Sequence, residues 1–282
     1  MMAVNVTAPF QEPTMSDFIT VENPRKGITV IKMNRPERMN AMAFDVMVPL
    51  KEALEAVSFD NTTRVVILTG VGKGFCSGAD LKDPGYLSIF DGLTMPGIAR
   101  RAMKVMDDVM HAVQTMHQPV ISAINGPAIG GGFCLSMITD IRIAAQSAVF
   151  RAAGINNGLT SAELGLSYTL PRAIGSTRAF EIMLTGRDVG SEEAERIVIV
   201  SRVVPDDQLM DSCFAMAEQI IQHSQLGVEL SKQMLWSSLS ASSLQTHMNH
   251  EGHAQLYMRM TTKNFEEAIR ARKENRKPDF KD

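Results

Sequence analysis

Two glycine-containing loops each follow an apolar run, and their residue types suit the binding of a negatively charged oxygen. The first occupies residues 73–82, KGFCSGADLK, and the second occupies residues 125–134, NGPAIGGGFC. Neither has the Lys-Ser/Thr pair of a phosphate-binding loop or the spaced glycines of a dinucleotide-binding turn. If a helix begins at Gly131, its first amides lack intrahelical partners and favour negative charge. Two amides that converge on one point form an oxyanion hole, which stabilises an enolate or a tetrahedral intermediate. The alternative is that both loops are ordinary glycine turns.

A carboxylate, Glu163, stands in the largely apolar stretch GLTSAELGLSY of residues 158–168. Leu159, Leu164 and Leu166 would surround it and raise the pKa of its carboxyl group, because an apolar environment disfavours the charged form. A raised pKa would bring this group towards the range that is useful for proton transfer. The alternative is that Glu163 is an exposed or helix-capping charge in the first turn of a helix.

The spacing of the histidines and the number of cysteines argue against a metal site and a disulfide framework. His247, His250 and His253 lack the His-Glu-x-x-His register, and we predict no metal site. The three cysteines of the chain are too few and too scattered for a disulfide framework. They suit the reducing environment of the cytoplasm.

Charge and hydropathy exclude several classes of partner. The 28 Lys+Arg and 31 Asp+Glu give a formal net charge of −3, which argues against a nucleic-acid partner. The N-terminus has no basic start followed by an apolar run, which predicts no signal peptide. The longest stretch without charged residues, 109–139, is too polar and too broken by prolines and glycines to span a bilayer. We therefore predict a cytoplasmic protein with no nucleic-acid partner and no membrane contact.

Strands and helices alternate in the part of the chain that must position the two loops. Apolar runs predict strands at residues 27–33, 64–69 and 119–125. Apolar residues three or four positions apart predict helices at residues 42–57 and 98–116. This alternation is typical of an α/β fold.

The same pattern predicts how the chain is divided. Pro9 and Pro13 mark residues 1–14 as a flexible tail. Residues 15–205 carry the alternating pattern and form the predicted α/β core. From Ser161 onward the pattern turns mostly helical, and residues 206–282 form a predicted helical C-terminal region.

Seven short motifs are spread from about Ile28 to the end of the chain. In order they are NRP at 34–36, NA at 40–41, GFCSGADL at 74–81, PAIGGG at 127–132, LPR at 170–172, LTG at 184–186 and RKENRKPDFK at 272–281. Together they resemble the crotonase (enoyl-CoA hydratase/isomerase) superfamily. The resemblance implies a spiral of ββα repeats with a helical C-terminal trimerisation part, assembled as a homotrimer or homohexamer. It also implies acyl-CoA substrates, with coenzyme A entering as part of the thioester and no separate cofactor.

The resemblance also assigns residues to the site by motif position. It implies that the amides of Ala79 and Gly131 form the oxyanion hole. The residues that would line the path of adenine and pantetheine are Arg38, Ala41, Ser77, Gly78, Asp80, Leu81, Lys82 and Gly130. In the family the C-terminal helix reaches the CoA of a neighbouring subunit, which points to Phe280 and Lys281. For Arg38, Lys82 and Lys281 the alternative is a plain solvated charge.

One departure from the family pattern bears on the reaction. Hydratases of the family carry a glutamate three residues after the oxyanion glycine and another on the following loop. These positions here hold Cys134 and Gly154. Hydration needs activated water and a proton at C2, which two carboxylates supply in hydratases. In some isomerases of the family, an acidic residue at the place of Glu163 moves the proton instead.

The residues and the resemblance together predict an acyl-CoA-processing enzyme. The leading reaction is Δ3,Δ2-enoyl-CoA isomerisation, in which Glu163 removes a proton from C2 and returns it at C4 while the oxyanion hole holds the dienolate. One alternative is a 2-enoyl-CoA hydratase of fatty-acid β-oxidation. A second alternative is hydrolysis or decarboxylation of an acyl-CoA that uses the same oxyanion hole. A third is a non-catalytic protein that binds acyl-CoA.

Overall fold

A six-stranded sheet, parallel except for its first pair of strands, forms the centre of the molecule. The computed structural model describes residues 17–281, so the tail predicted over residues 1–14 lies outside the described residues. The described strands are β1 (Ile19–Arg25), β2 (Ile28–Met33), β3 (Val65–Gly70), β4 (Val120–Ile124), β5 (Ala128–Ile129), β6 (Ile141–Ala145), β7 (Val149–Arg151), β8 (Val189–Gly190) and β9 (Arg202–Val204). The large sheet has the order β1-β2-β3-β4-β6-β9, and β5, β7 and β8 form a small second sheet.

Helices fill the connections between the strands and continue after the last one. They are α1 (Phe44–Ser58), α2 (Met95–Thr115), α3 (Gly131–Met137), α4 (Leu166–Ile174), α5 (Ser176–Thr185), α6 (Ser191–Arg196), α7 (Leu209–Ile221), α8 (Gln225–Ser238), α9 (Leu244–Thr261) and α10 (Asn264–Lys273). The predicted α/β class is confirmed. After β9 ends at Val204, every regular element of the described chain is helical.

The large sheet is covered on both faces. Strand β3 is buried over its whole length, which is typical of a parallel strand between two layers of helices. Alternate residues point to opposite faces, so Leu68 packs in the cluster that holds α1 and α2, while Ile67 packs in the cluster that holds α7. This double burial makes the sheet a rigid base for the loops that leave it.

Strands β3 and β4 bring the two glycine loops to the same edge of the sheet. The strands are parallel neighbours, with Leu68 opposite Ser122. Residues 73–82 follow β3 and residues 125–134 follow β4, so both loops leave at the carboxyl ends of the strands. In open α/β sheets this edge is where ligands bind.

The helices that follow β9 differ in how far they are buried. Helix α7 packs on the sheet through Leu209, Cys213 and Ala217. Helix α9 has no buried residue, and several of its apolar side chains, such as Leu256 and Met260, are exposed. No helix within residues 17–281 is long and apolar enough to cross a membrane.

Candidate active site

The two glycine loops are joined to each other by backbone hydrogen bonds. The amide of Ile129 donates to the Cys76 carbonyl over 2.9 Å. The amides of Phe75 and Cys76 both donate to the Pro127 carbonyl over 3.1 Å. A Cβ at Gly132 would overlap the Cys76 carbonyl, so glycine is what permits this contact. The loops therefore keep a fixed relative position, which an oxyanion hole requires because its donors must converge.

The amide of Ala79 points away from Met42, whose backbone is hydrogen-bonded to the residues on either side of Ala79. Met42 donates its amide to the Gly78 carbonyl over 2.7 Å. The Asp80 amide donates back to the Met42 carbonyl over 3.1 Å. These two bonds make a parallel bridge centred on Ala79, whose own amide therefore faces the opposite side. Ala79 itself is exposed, and its amide donates no hydrogen bond within residues 17–281.

The amide of Gly131 is the second candidate donor. Gly131 is the first residue of α3, so its N–H has no partner within the helix. Gly78 in the first loop has a φ of +84°, and a Cβ built there would lie 3.4 Å from the Gly131 nitrogen. The peptide that precedes Ala79 therefore lies against the Gly131 amide. The structure thus places both predicted donors on adjacent segments.

The carboxylate of Glu163 lies beside the second loop. Its Oε1 atom is 3.6 Å from the position that a Cβ on Gly130 would occupy. The side chain is half-buried, and this burial raises the pKa of its carboxyl group, because an apolar environment disfavours the charge. Within residues 17–281 the carboxylate accepts no hydrogen bond and forms no ion pair. The described chain therefore leaves this carboxylate without a partner of its own.

The two positions at which the resemblance places hydratase glutamates offer no second base. Cys134 is 1% exposed, and burial raises the pKa of its thiol well above the ordinary value, so it stays neutral. A Cβ on Gly154 would overlap the main-chain carbonyl of Thr160. No side chain of any kind fits at position 154 with this backbone.

The Asp80 carboxylate is bound by neighbouring groups of the protein itself. Its side chain is 2% exposed, and it accepts hydrogen bonds from the Arg38 guanidinium, one of them from Nε over 3.1 Å. Arg35 Nη1 lies 3.3 Å from the same carboxylate, and the amides of Lys82 and Asp83 each donate to it over 3.0 Å. The hydrogen bond from Arg38 is the main reason that the pKa of Asp80 lies far below its usual range. Asp80 therefore shapes the loop and orients Arg38.

The other residues assigned to the CoA path lie around the same loop. Ala41 is buried next to the bridge, and Ser77 is half-buried, with its hydroxyl donating to the Arg38 carbonyl over 3.3 Å. Leu81 and Lys82 follow Asp80 and are exposed. The structure therefore gathers the first-loop candidates into one cluster at the carboxyl edge of the sheet.

Phe280 and Lys281 lie far from the glycine loops within the same chain. Phe280 lines a cavity of about 750 Å³ with Pro119 and Asp140, which directly precede β4 and β6. The amide of Lys281 donates to the Asn264 side chain over 3.1 Å. Both residues are thus at the sheet edge opposite the glycine loops, and the structure does not bring them to the loops of the same chain.

Met42 is a site residue that the sequence reasoning missed. Its backbone holds the Ala79 bridge, and its sulfur lies so close to Gly131 that a Cβ there would overlap it. One residue therefore contacts the segments of both candidate donors. The feature of the sequence that could have indicated Met42 is its place directly after the Asn40-Ala41 motif.

Known proteins with similar sequences point to the same family as the motifs. A sequence model described as "Enoyl-CoA hydratase/isomerase" matches residues 23–282. A protein of Mycobacterium bovis, named a "probable enoyl-CoA hydratase", is 61% identical over 265 residues, which cover 94% of this chain and 93% of that protein.

Solved structures show the same fold. The crystal structure of "a probable enoyl-CoA hydratase/isomerase" from Mycobacterium abscessus aligns with a TM-score of 0.90 at 55% identity, over 94% of this chain and 98% of that chain. A structure described as "a monofunctional enoyl CoA isomerase" from M. smegmatis aligns with a TM-score of 0.71 at 53% identity, over 82% and 98% of the two chains. The predicted crotonase-like fold is confirmed. The chain belongs to the enoyl-CoA hydratase/isomerase family.

Proposed function

We propose that this enzyme isomerises 3-enoyl-CoA to 2-enoyl-CoA, with Glu163 as the proton shuttle. The observation that carries the proposal is the position of the Glu163 carboxylate, 3.6 Å from where a Cβ on Gly130 would stand and without a protein partner in the described chain. If the thioester oxygen binds at the Gly131 amide, the reacting carbons lie next to Gly130 and to the Glu163 carboxylate beside it. Its raised pKa favours proton transfer in both directions.

The reaction needs only groups that the chain and the substrate provide. The amides of Ala79 and Gly131 donate hydrogen bonds to the thioester oxygen, which makes the C2 proton more acidic. Glu163 takes that proton, and the electron pair of the C2–H bond moves into a dienolate with negative charge on the oxygen. Glu163 then gives the proton to C4, and the double bond is left between C2 and C3. Coenzyme A is part of the substrate, and no further cofactor takes part.

Hydration is the second candidate, and the names of several relatives favour it. Hydration requires a water molecule to be activated while a proton is delivered to C2, which is the work of two groups. The Cys134 thiol is buried and neutral, and position 154 has no room for a side chain. Glu163 would have to do both tasks alone. We therefore place hydration behind isomerisation.

Two assays with one protein preparation separate the candidates. Purified protein is given 3-enoyl-CoA in one assay and 2-enoyl-CoA in the other, and products are identified by mass and retention time. Conversion of 3-enoyl-CoA to 2-enoyl-CoA supports the proposal. Formation of 3-hydroxyacyl-CoA from 2-enoyl-CoA, with 3-enoyl-CoA left unchanged, would identify a hydratase. Saturable binding without turnover of either substrate would identify a non-catalytic acyl-CoA-binding protein.

A further inference from the structure

The turn that carries Glu163 is held firmly at its ends. Before it, the Ser161 hydroxyl donates to the Met183 carbonyl over 2.6 Å. After it, Leu166 is fully buried as the first residue of α4. The turn itself comprises residues 162–165.

The backbone of this turn is in an unfavourable conformation. Leu164 has a φ of +44° and Gly165 a φ of +81°. The left-handed region suits glycine but costs energy for a residue with a branched side chain such as leucine. Contacts from the surroundings must therefore keep the turn in place, and with it the carboxylate of Glu163.

Cys134 on α3 supplies such a contact. Its Sγ atom lies 3.5 Å from the main-chain carbonyl of Glu163 and 3.3 Å from that of Gly130. A thiol has one proton, so it donates to one of the two carbonyls at a time. Within residues 17–281, the other hydrogen bonds of residues 162–165 are local, to Thr160 or to α4, so the Cys134 thiol is the one hydrogen-bond partner from a distant part of the chain.

The same helix carries one of the oxyanion donors. Gly131 begins α3, and the Leu164 Cδ1 atom would lie 3.4 Å from a Cβ at Gly131. A displacement of the turn relative to α3 therefore changes the distance between the base and the bound thioester.

We propose that Cys134 is a positioning residue for Glu163. Its thiol ties the strained turn to α3 and so sets the distance between the carboxylate and the oxyanion amides. The inference rests on the proposed function, because it assigns Cys134 a role in the isomerisation by Glu163. Burial raises the pKa of the Cys134 thiol well above its ordinary value, which favours the protonated form that donates.

The first test compares two variants at this position with a matched control. Cys134→Ala removes the donor, whereas Cys134→Ser keeps a donor of similar size. Cys213→Ala removes another fully buried thiol, on α7 at the opposite face of the sheet. Initial rates with 3-enoyl-CoA give kcat and KM separately.

The expected result is a loss in kcat that the hydroxyl restores in part. Cys134→Ala should lower kcat by about 10- to 100-fold with KM nearly unchanged, because a displacement of about 1 Å can cost about 100-fold. Cys134→Ser should recover most of that loss, and Cys213→Ala should match the wild type. The inference is overturned if Cys134→Ala keeps wild-type kcat, or if alanine performs as well as serine.

A second measurement needs no turnover and therefore separates this inference from the proposed function. The infrared S–H stretching band of Cys134 is isolated as the difference between the wild type and Cys134→Ser. A band shifted to lower frequency than that of a free thiol shows that the thiol donates to one of its two carbonyl neighbours, as the inference requires, and the kcat comparison then tests the bond to Glu163. An unshifted band overturns the inference whatever the enzyme catalyses. A wild type that fails to isomerise 3-enoyl-CoA refutes the proposed function and with it the role of Cys134.

Discussion

Replacement of Glu163 by glutamine keeps the size of the side chain and removes its ability to hold a proton. We expect Glu163→Gln to lower the kcat for 3-enoyl-CoA by about 100- to 10,000-fold, towards the upper end, because a sole shuttle has no substitute. The affinity for acyl-CoA should stay nearly unchanged. Steady-state kinetics and a binding titration measure the two effects. Glu52→Gln, at an exposed position on α1, is the matched control.

A second readout follows the proton itself. With C2-deuterated substrate, the wild type should release deuterium to solvent or carry it to C4. The Glu163→Gln variant should do neither. If this variant isomerised at the wild-type rate, Glu163 would be a surface charge and another group would have to move the proton.

The pH dependence of the reaction should reflect the burial of Glu163. The free enzyme must hold this carboxyl group deprotonated to accept the C2 proton, so kcat/KM should fall as the pH is lowered through its pKa. Burial raises that pKa, so the midpoint should lie above the value of about 4.3 of an exposed glutamate. A profile of kcat/KM against pH checks this, with circular dichroism to show that the protein stays folded. A midpoint at or below the exposed value would contradict it.

At the scale of single elements, the segment from Gly154 to Thr160 makes a prediction about stability. Gly154→Ala should lower the free energy of unfolding by about 1–3 kcal/mol, because its Cβ overlaps the Thr160 carbonyl and the backbone must move. Gly190→Ala is the control, since a Cβ there has no atom within 4 Å. Urea unfolding of both variants gives the comparison. Equal stability of the two would show that the segment moves without cost.

Some elements could be predicted from the sequence because a local pattern specifies them. Strand β3 is an unbroken apolar run, and α1 repeats apolar residues at helical spacing. Strand β1 was missed because its second half, which includes Glu22 and Pro24, is exposed at the sheet edge and has no apolar alternation. Helix α4 was missed because Pro171 lies inside it.

The candidate site was predictable to the same degree. Glycines after buried strands indicated two candidate loops, and the family resemblance assigned the oxyanion amides to these loops and the proton transfer to Glu163. The structure brings these residues close together, and their roles stay predictions. The contact of Met42 with Gly131 and the overlap at Gly154 depend on segments that meet only in the folded chain. No local spacing reports such contacts, so the sequence could not predict them.

For the whole molecule, the exposed apolar side chains of α9 predict self-association. A helix without buried residues leaves Leu256 and Met260 in water, and large exposed apolar patches mark interfaces. Light scattering should return three or six times the chain mass of 30.9 kDa. Leu256→Asp should lower that mass, because an unpaired carboxylate is costly to bury. A single-chain mass for the wild type at working concentration would contradict the prediction.

The packing at Gly154 also constrains how this enzyme could change over time. Replacing Cys134 by glutamate requires one substitution, but a glutamate at position 154 requires the Thr160 carbonyl to vacate its place first. Any mutational route to glutamates at both 134 and 154 therefore passes through a chain with a rebuilt segment between residues 154 and 160. The backbone between residues 154 and 160 thus limits which side chains position 154 can carry. Laboratory evolution towards hydration should therefore begin with insertions or deletions in this segment.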